Sequence, residues 1–171
     1  MRKRQSLLVL FTMLTAGPVF AVDAYMNFTG TVWAPSCTID SSSTNQTVIL
    51  ASTLVGNFTS IGSTASAKAI NVKLDCLVGT TVTMTVSGAA ATVPSVLKNT
   101  GTAQQVGVQL LRATEVGGTT GTPIMLGSPL NLGAVSSSGT MTVPLVAQYY
   151  RLGKLTPGSV AATATLSFTY N

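Results

Sequence analysis

The end of the chain alternates between apolar and polar residues with a period of two. The odd-numbered positions of residues 158–171 are mostly Thr, Ser or Asn. The even-numbered positions carry the small or apolar residues Gly158, Val160, Ala162, Ala164, Leu166, Phe168 and Tyr170. Because successive side chains of a β-strand point to opposite faces, this pattern predicts a half-buried strand. We expect one edge of this strand to stay uncovered, and such an edge favours aggregation or the addition of a strand from another chain.

A second alternating stretch, residues 22–33, lies near the beginning of the chain. Its odd-numbered positions are mostly polar, with Tyr25 and Trp33 as exceptions. Its even-numbered positions are Val22, Ala24, Met26, Phe28, Gly30 and Val32. This stretch is predicted to be a strand as well.

Several short apolar or alternating runs, separated by turn-forming residues, lie between these two stretches. They predict strands at residues 46–51, 69–76, 80–87, 93–97, 106–112, 123–126 and 141–150. Residues 41–45, 56–66 and 115–122 are rich in Gly, Ser or Thr and predict loops. We found no convincing helical period. Short strands at this spacing are typical of an antiparallel sandwich or barrel.

The first 21 residues have the features of a secretory signal peptide. Residues 1–4 form a basic region through Arg2, Lys3 and Arg4, and residues 6–16 are mostly apolar. Val19 and Ala21 supply small residues before a cleavage point. Cleavage after Ala24 is an alternative. A single-pass membrane anchor is the other alternative, but the apolar run is shorter than the ~20 residues that a span needs.

Charge changes this picture little once the signal peptide is removed. The formal net charge of the whole chain is +5, from nine Lys and Arg against four Asp and Glu. Cleavage after Ala21 removes Arg2, Lys3 and Arg4, which leaves six basic against four acidic side chains and a net charge of +2. The basicity is therefore mostly a targeting signal and does not predict a nucleic-acid partner.

Cys37 and Cys76 both follow the predicted cleavage point. In an exported chain two cysteines predict one disulfide, and two free buried thiols are the alternative.

The composition argues against catalysis. The chain has no histidine, and its four carboxylates are far apart in sequence, so acid–base pairs and metal-ligand clusters are not evident. Gly117 and Gly118 are not followed by the lysine of a phosphate-binding loop. We therefore expect no enzyme activity, no metal, no cofactor and no small-molecule substrate. Trp33, Tyr149 and Tyr150 leave open a self-complete secreted β-sandwich that binds carbohydrate or protein.

These features occur together with several short motifs. The motifs are Phe28-Thr-Gly30, the sequence around the first cysteine from Ala34 to Ile39, the alternating run from Ile70 to Cys76, the run from Asn99 to Gln109, and a terminal strand with Gly158 and Tyr170. In this order and at this length, the chain resembles the structural subunits (pilins) of bacterial chaperone–usher fimbriae, in the type 1 group.

The resemblance implies an all-β fold: an incomplete immunoglobulin-like antiparallel β-sandwich that lacks its final strand. It divides the chain into a signal peptide (1–21), an N-terminal donor-strand extension (22–33) and a pilin domain (34–171). A periplasmic chaperone would first fill the groove left by the missing strand. The extension of the neighbouring fimbrial subunit would then replace the chaperone at the outer-membrane usher. The product would be a surface fimbria that supports cell adhesion.

The same resemblance assigns the two alternating stretches to complementary roles. The donor residues would be Val22, Ala24, Met26, Phe28, Gly30 and Val32. The acceptor groove, which is also the chaperone-binding strand, would use Gly158, Val160, Ala162, Ala164, Leu166, Phe168 and Tyr170.

Overall fold

The computed structural model describes residues 26–32 and 36–171. The chain divides into two units, residues 1–32 and 33–171. In the first unit, residues 26–32 form neither helix nor strand, and the side chains of Met26, Phe28 and Val32 are exposed. The predicted signal peptide, Val22, Ala24 and Trp33 lie outside the described residues.

Residues 36–171 form nine strands and two short helices. The helices are α1 (Ser41–Thr44) and a 3-10 turn at Val55–Asn57. The strands are β1 (Cys37–Ile39), β2 (Thr64–Cys76), β3 (Thr81–Ser87), β4 (Val96–Lys98), β5 (Gln104–Ala113), β6 (Gly121–Pro123), β7 (Pro129–Ala134), β8 (Thr140–Thr156) and β9 (Thr165–Tyr170).

The strands form two antiparallel sheets. The larger sheet has the order β1-β2-β8-β5-β4, with β6 also paired to β5. The smaller sheet has the order β7-β3-β9. Strand β9 is therefore an edge strand with β3 as its neighbour on one side only, and β1 is an edge strand of the larger sheet.

Both sheets contribute side chains to one apolar core. Strand β3 shows the expected alternation, because Val82, Met84 and Val86 are fully buried while the residues between them are only half-buried. From the larger sheet, β2 and β8 add Leu74 and Leu145 to the same cluster. The predicted fold class, an incomplete immunoglobulin-like antiparallel sandwich, is confirmed.

Three alternating stretches were predicted to be longer or more regular strands than they are. Residues 46–51 alternate but form no strand, because the chain leaves its β2 neighbour after β1 and helix α1. The terminal strand begins at Thr165, and residues 158–164 form no strand, because β3 ends opposite Thr165. Residues 26–32 of the first alternating stretch are likewise not a strand.

Other differences concern strand bounds. Strand β2 begins at Thr64, inside the predicted loop 56–66, and a bulge between Ala65 and Lys68 interrupts its period of two. Strand β8 continues to Thr156, six residues beyond its predicted end. Strand β7 was not predicted, and helix α1 occupies a predicted loop.

Candidate functional site

An open apolar groove runs along the terminal segment of the chain. Its volume is about 790 Å³. One side consists of residues 160–168, which we call the terminal wall, and the other of residues 43–50, which we call the second wall. The side chains of the groove floor come from β2, β4, β5 and β8 of the larger sheet: Ile70, Val72, Leu97, Val108, Leu110, Leu145, Ala147 and Tyr149.

The terminal wall presents the predicted face to this groove. Its even-numbered residues are half-buried and its odd-numbered residues are exposed, so the period of two is kept where the strand pairing has ended. Five of the seven predicted acceptor residues line the groove: Val160, Ala162, Ala164, Leu166 and Phe168.

The other two predicted acceptor residues, Gly158 and Tyr170, do not line the groove. A Cβ atom on Gly158 would lie 2.6 Å from Thr102 Oγ1, so this position packs against a loop of the domain and needs a glycine. Tyr170 pairs with Val82 and packs against the core, and burial raises the pKa of its hydroxyl.

The C-terminal half of the terminal wall is held by β3. The pairing runs from Ser87 opposite Thr165 to Val82 opposite Tyr170. Beyond it, the Asn171 amide donates to the Thr81 carbonyl at 3.0 Å, and the Thr81 amide donates to the Asn171 carbonyl at 2.7 Å. This half is therefore a regular sheet edge whose free side faces the groove.

The N-terminal half of the terminal wall is held by the loop between β4 and β5. The Thr100 amide donates to the Ala161 carbonyl at 2.8 Å, and the Ala103 amide donates to the Ser159 carbonyl at 3.0 Å. The Asn99 side chain also bonds to this segment, because its Oδ1 accepts from the Ala161 amide at 2.8 Å. The sequence motif from Asn99 onwards was linked to the family, but its contact with the terminal wall was not predicted.

The second wall is built differently. It begins in the last two residues of helix α1, and the Gln46 side chain donates to the Asn71 carbonyl at 3.0 Å. Val48 and Leu50 are half-buried and pack against the core, whereas Ile49 is 80 % exposed. The backbone of residues 46–53 forms no backbone hydrogen bond with any other described residue. This wall was not among the predicted site residues, although the spacing of Val48 and Leu50 was a signal for it.

The disulfide closes the chain around the second wall. Cys37 and Cys76 are bonded, as predicted, and lie opposite each other in the β1–β2 pairing. The second wall therefore belongs to a loop that is covalently closed at the edge of the larger sheet. Asp40 lies three residues before this wall as the N-cap of α1, and hydrogen bonds from the Ser42 hydroxyl and the Ser42 amide lower the pKa of its carboxyl.

The described residues offer little else for chemistry. Residues 26–32 and 36–171 contain no group of three His, Cys, Asp or Glu side chains that could hold a metal ion. In the same residues, no helix is long and apolar enough to cross a membrane. The groove instead combines an apolar floor with free backbone edges, which suits the binding of an extended polypeptide.

Comparisons with known proteins agree with this geometry. The family model described as "Fimbrial protein" matches residues 26–171. The type-1 fimbrial protein A chain of Escherichia coli is 32 % identical over 85 % of this chain and 81 % of that protein. The minor fimbrial subunit HifD of Haemophilus influenzae is 31 % identical over 96 % of this chain and 82 % of that protein.

A solved structure shows the same fold. The P pilus rod subunit PapA has a TM-score of 0.62 at 17 % identity, over 79 % of this chain and 99 % of that one. The family match, which spans the whole sandwich with its groove, is decisive: the chain belongs to the fimbrial protein family.

Proposed function

We propose that this chain, a structural subunit of a bacterial surface fimbria, polymerises by donor-strand exchange through its groove. The extension of one subunit, with Val22, Ala24, Met26, Phe28, Gly30 and Val32 on one face, inserts between the walls of the next. The observation that carries this proposal is the groove itself, which has an apolar floor and a free β9 edge.

The groove and the extension have matching chemistry. An added strand satisfies the free backbone groups of an edge, and its alternate side chains fix its register on the face that is buried. Addition of a strand to pilins by a chaperone is an established form of this recognition. Each large apolar side chain that the groove takes from water contributes roughly 1.5–3 kcal/mol.

The described part of the extension is consistent with a donor. Met26, Phe28 and Val32 are 76, 89 and 99 % exposed. Three large apolar side chains at alternate positions favour burial against a partner. The space around Gly30 is open, so a backbone can approach it closely there.

The remaining assignments follow from this division of roles. Residues 1–21 direct export, residues 22–33 donate, and residues 34–171 form the pilin domain. A periplasmic chaperone occupies the groove before assembly, and an outer-membrane usher is where the exchange occurs. The chain acts as a building block without enzyme activity, and its family consists of structural subunits.

The substitution Phe28→Asp tests the donor role. A charge at this position would be desolvated in the neighbour's groove, so the variant should no longer donate. Its own groove is unchanged, so it should still accept a strand and cap growing fibres. Mixed with the unsubstituted chain at increasing ratios, it should shorten the fibres seen by electron microscopy.

The matched control is Thr29→Asp, which places the same charge on the odd-numbered face of the extension. It should leave fibre length nearly unchanged. Fibres of normal length with Phe28→Asp would overturn the proposal. So would unchanged fibre assembly by a chain that lacks residues 22–32, because such a chain has no extension to donate.

A further inference from the structure

The terminal wall has no sheet neighbour over half its length. Residues 158–164 lie beyond the end of β3, and residues 162–164 form no backbone hydrogen bond with another described residue. An extended segment of this length, next to an open groove, loses conformational entropy when it is ordered. Something other than the sheet must therefore hold it straight.

The side chain of Asn99 forms hydrogen bonds both with the terminal segment and with the loop that follows β4. Asn99 Oδ1 accepts from the Ala161 amide and from the Gly101 amide, each at 2.8 Å. Asn99 Nδ2 donates to the Ala103 carbonyl at 2.8 Å and reaches the Ser159 carbonyl at 3.4 Å. A single amide group thus fixes the loop that follows β4 and ties this loop to the wall.

Neighbouring polar groups complete the attachment. The Ser159 amide donates to Thr102 Oγ1 at 2.9 Å, and the Thr102 amide donates to Ser159 Oγ at 3.1 Å. The two segments approach so closely that a Cβ atom on Gly101 would overlap the Ser159 backbone. The attachment is therefore specific in shape as well as in hydrogen bonding.

We propose that Asn99 is a positioning residue for strand acceptance, which sets the N-terminal half of the terminal wall before a donor arrives. This inference rests on the proposed function of the groove. A wall that is already straight does not have to be ordered on binding, and such preorganisation increases affinity. Without the Asn99 amide, the wall beyond β3 would move and a donor strand would have to order it.

The test measures the uptake of a fluorescent peptide with the sequence of residues 22–33. In every arm the exported full chain carries Phe28→Asp, so that it cannot donate to its own copies. Asn99→Ala should weaken peptide binding by about tenfold, the effect expected from losing side-chain hydrogen bonds. Asn99→Asp keeps the bond from the Ala161 amide but places a carboxylate oxygen next to the Ala103 carbonyl, so it should also weaken binding.

Two controls separate positioning from general stability. Asn131→Ala removes a similar hydrogen bond elsewhere in the domain. Asn131 lies in β7, and its Oδ1 accepts from the Gly133 amide at 2.8 Å. Val143→Ala opens a space at a fully buried core position in β8. Both should bind the peptide nearly as well as the parent, although Val143→Ala should be the less stable domain.

Amide hydrogen exchange gives a second readout that needs no peptide. In Asn99→Ala the amides of Ala103 and Ala161 should exchange faster, while those of β3 should be unchanged.

Full peptide affinity of Asn99→Ala would overturn the inference. Equal weakening by Val143→Ala would also overturn it, because stability alone would then explain the loss. If Asn99→Ala fails to fold, Asn99→Asp decides the matter. Unweakened peptide binding by Asn99→Asp overturns the inference. Weakening of about threefold or more supports it, because both donated hydrogen bonds are lost. Failure of the parent chain to bind the peptide would instead refute the proposed function.

Discussion

The two walls of the groove have a similar sequence pattern but different support. Both alternate with a period of two and turn half-buried apolar side chains inward. The terminal wall is bonded on its outer side, by β3 in its C-terminal half and by the Asn99 loop at its N-terminal end. The second wall has no backbone hydrogen bond with other described residues along residues 46–53.

This difference separates two tasks in strand acceptance. A bonded wall keeps the spacing of its free amides and carbonyls, so it can set the register of an incoming strand. An unbonded wall can adapt to that strand, and its order is gained on binding. We therefore expect register to depend mainly on the terminal wall.

The largest effect is expected from a charge on the inner face of the terminal wall. Ala162 is half-buried and packs against the core. The substitution Ala162→Asp would place a carboxylate where the donor strand excludes water, at a cost of several kcal/mol. Titration with the labelled peptide should then show no measurable binding. Ser167→Asp is the control, because Ser167 is exposed and does not line the groove. An equal loss there would contradict the assignment of faces.

The next effect comes from the disulfide. Replacement of both Cys37 and Cys76 by alanine opens a loop with a sequence separation of 39 residues. On the chain-entropy model this lowers the free energy of unfolding by about 4 kcal/mol. Urea denaturation of the oxidised parent and the double variant measures the difference. Coincident unfolding curves would show that the closed loop does not stabilise the domain.

A pair of proline substitutions compares the two walls directly. Thr169 lies opposite Thr83 in the β3–β9 pairing, so Thr169→Pro removes a ladder hydrogen bond and should cost about 1–3 kcal/mol of unfolding free energy. Thr47→Pro should cost less than about 0.5 kcal/mol, because the Thr47 amide has no backbone partner among the described residues. Thermal unfolding of both variants measures this contrast. Similar losses would mean that the second wall is as firmly bonded as the terminal wall.

The smallest effect is expected on the pH dependence of stability, through Asp40 at the N-cap of helix α1. Hydrogen bonds from Ser42 lower the pKa of Asp40 in the folded chain, so the unfolded chain binds the proton more readily. The stabilising contribution is present above the ordinary carboxyl pKa of about 3.9 and is lost as the pH falls through the lower folded value. Chemical-shift titration of the Asp40 carboxyl carbon measures the folded pKa. A folded value at or above the ordinary one would contradict the capping role.

The sequence predicted which residues face inward better than it predicted which segments form strands. Val82, Met84 and Val86 are buried as their spacing indicates, and in residues 160–168 the even-numbered residues are half-buried while the odd-numbered ones are exposed. A period of two reports the side-chain directions of any extended chain, whether or not a neighbouring strand is present. Residues 46–51 and 158–164 therefore carry the pattern of strands without the pairing.

Other parts of the site could not be predicted because they depend on distant residues. The contact of Asn99 with Ala161 joins positions 62 residues apart, and no local pattern reports it. Gly158 was assigned to the groove by the resemblance, but it serves the close packing against Thr102. The bond that the Gly62 amide donates to the Arg151 carbonyl at 2.9 Å is likewise a tertiary contact, in a segment predicted only as a loop.

The position of the disulfide has a mechanical consequence for the proposed fibre. Tension on an extension held by a neighbouring subunit would enter the domain through the residues that precede Cys37. There the covalent bond passes the load across to Cys76 at the end of β2, the longest neighbour of β8. Residues 38–75, which include the second wall, would then not carry the tensile load. The second wall would therefore keep its shape under tension, because the Cys37–Cys76 bond would carry the force past it.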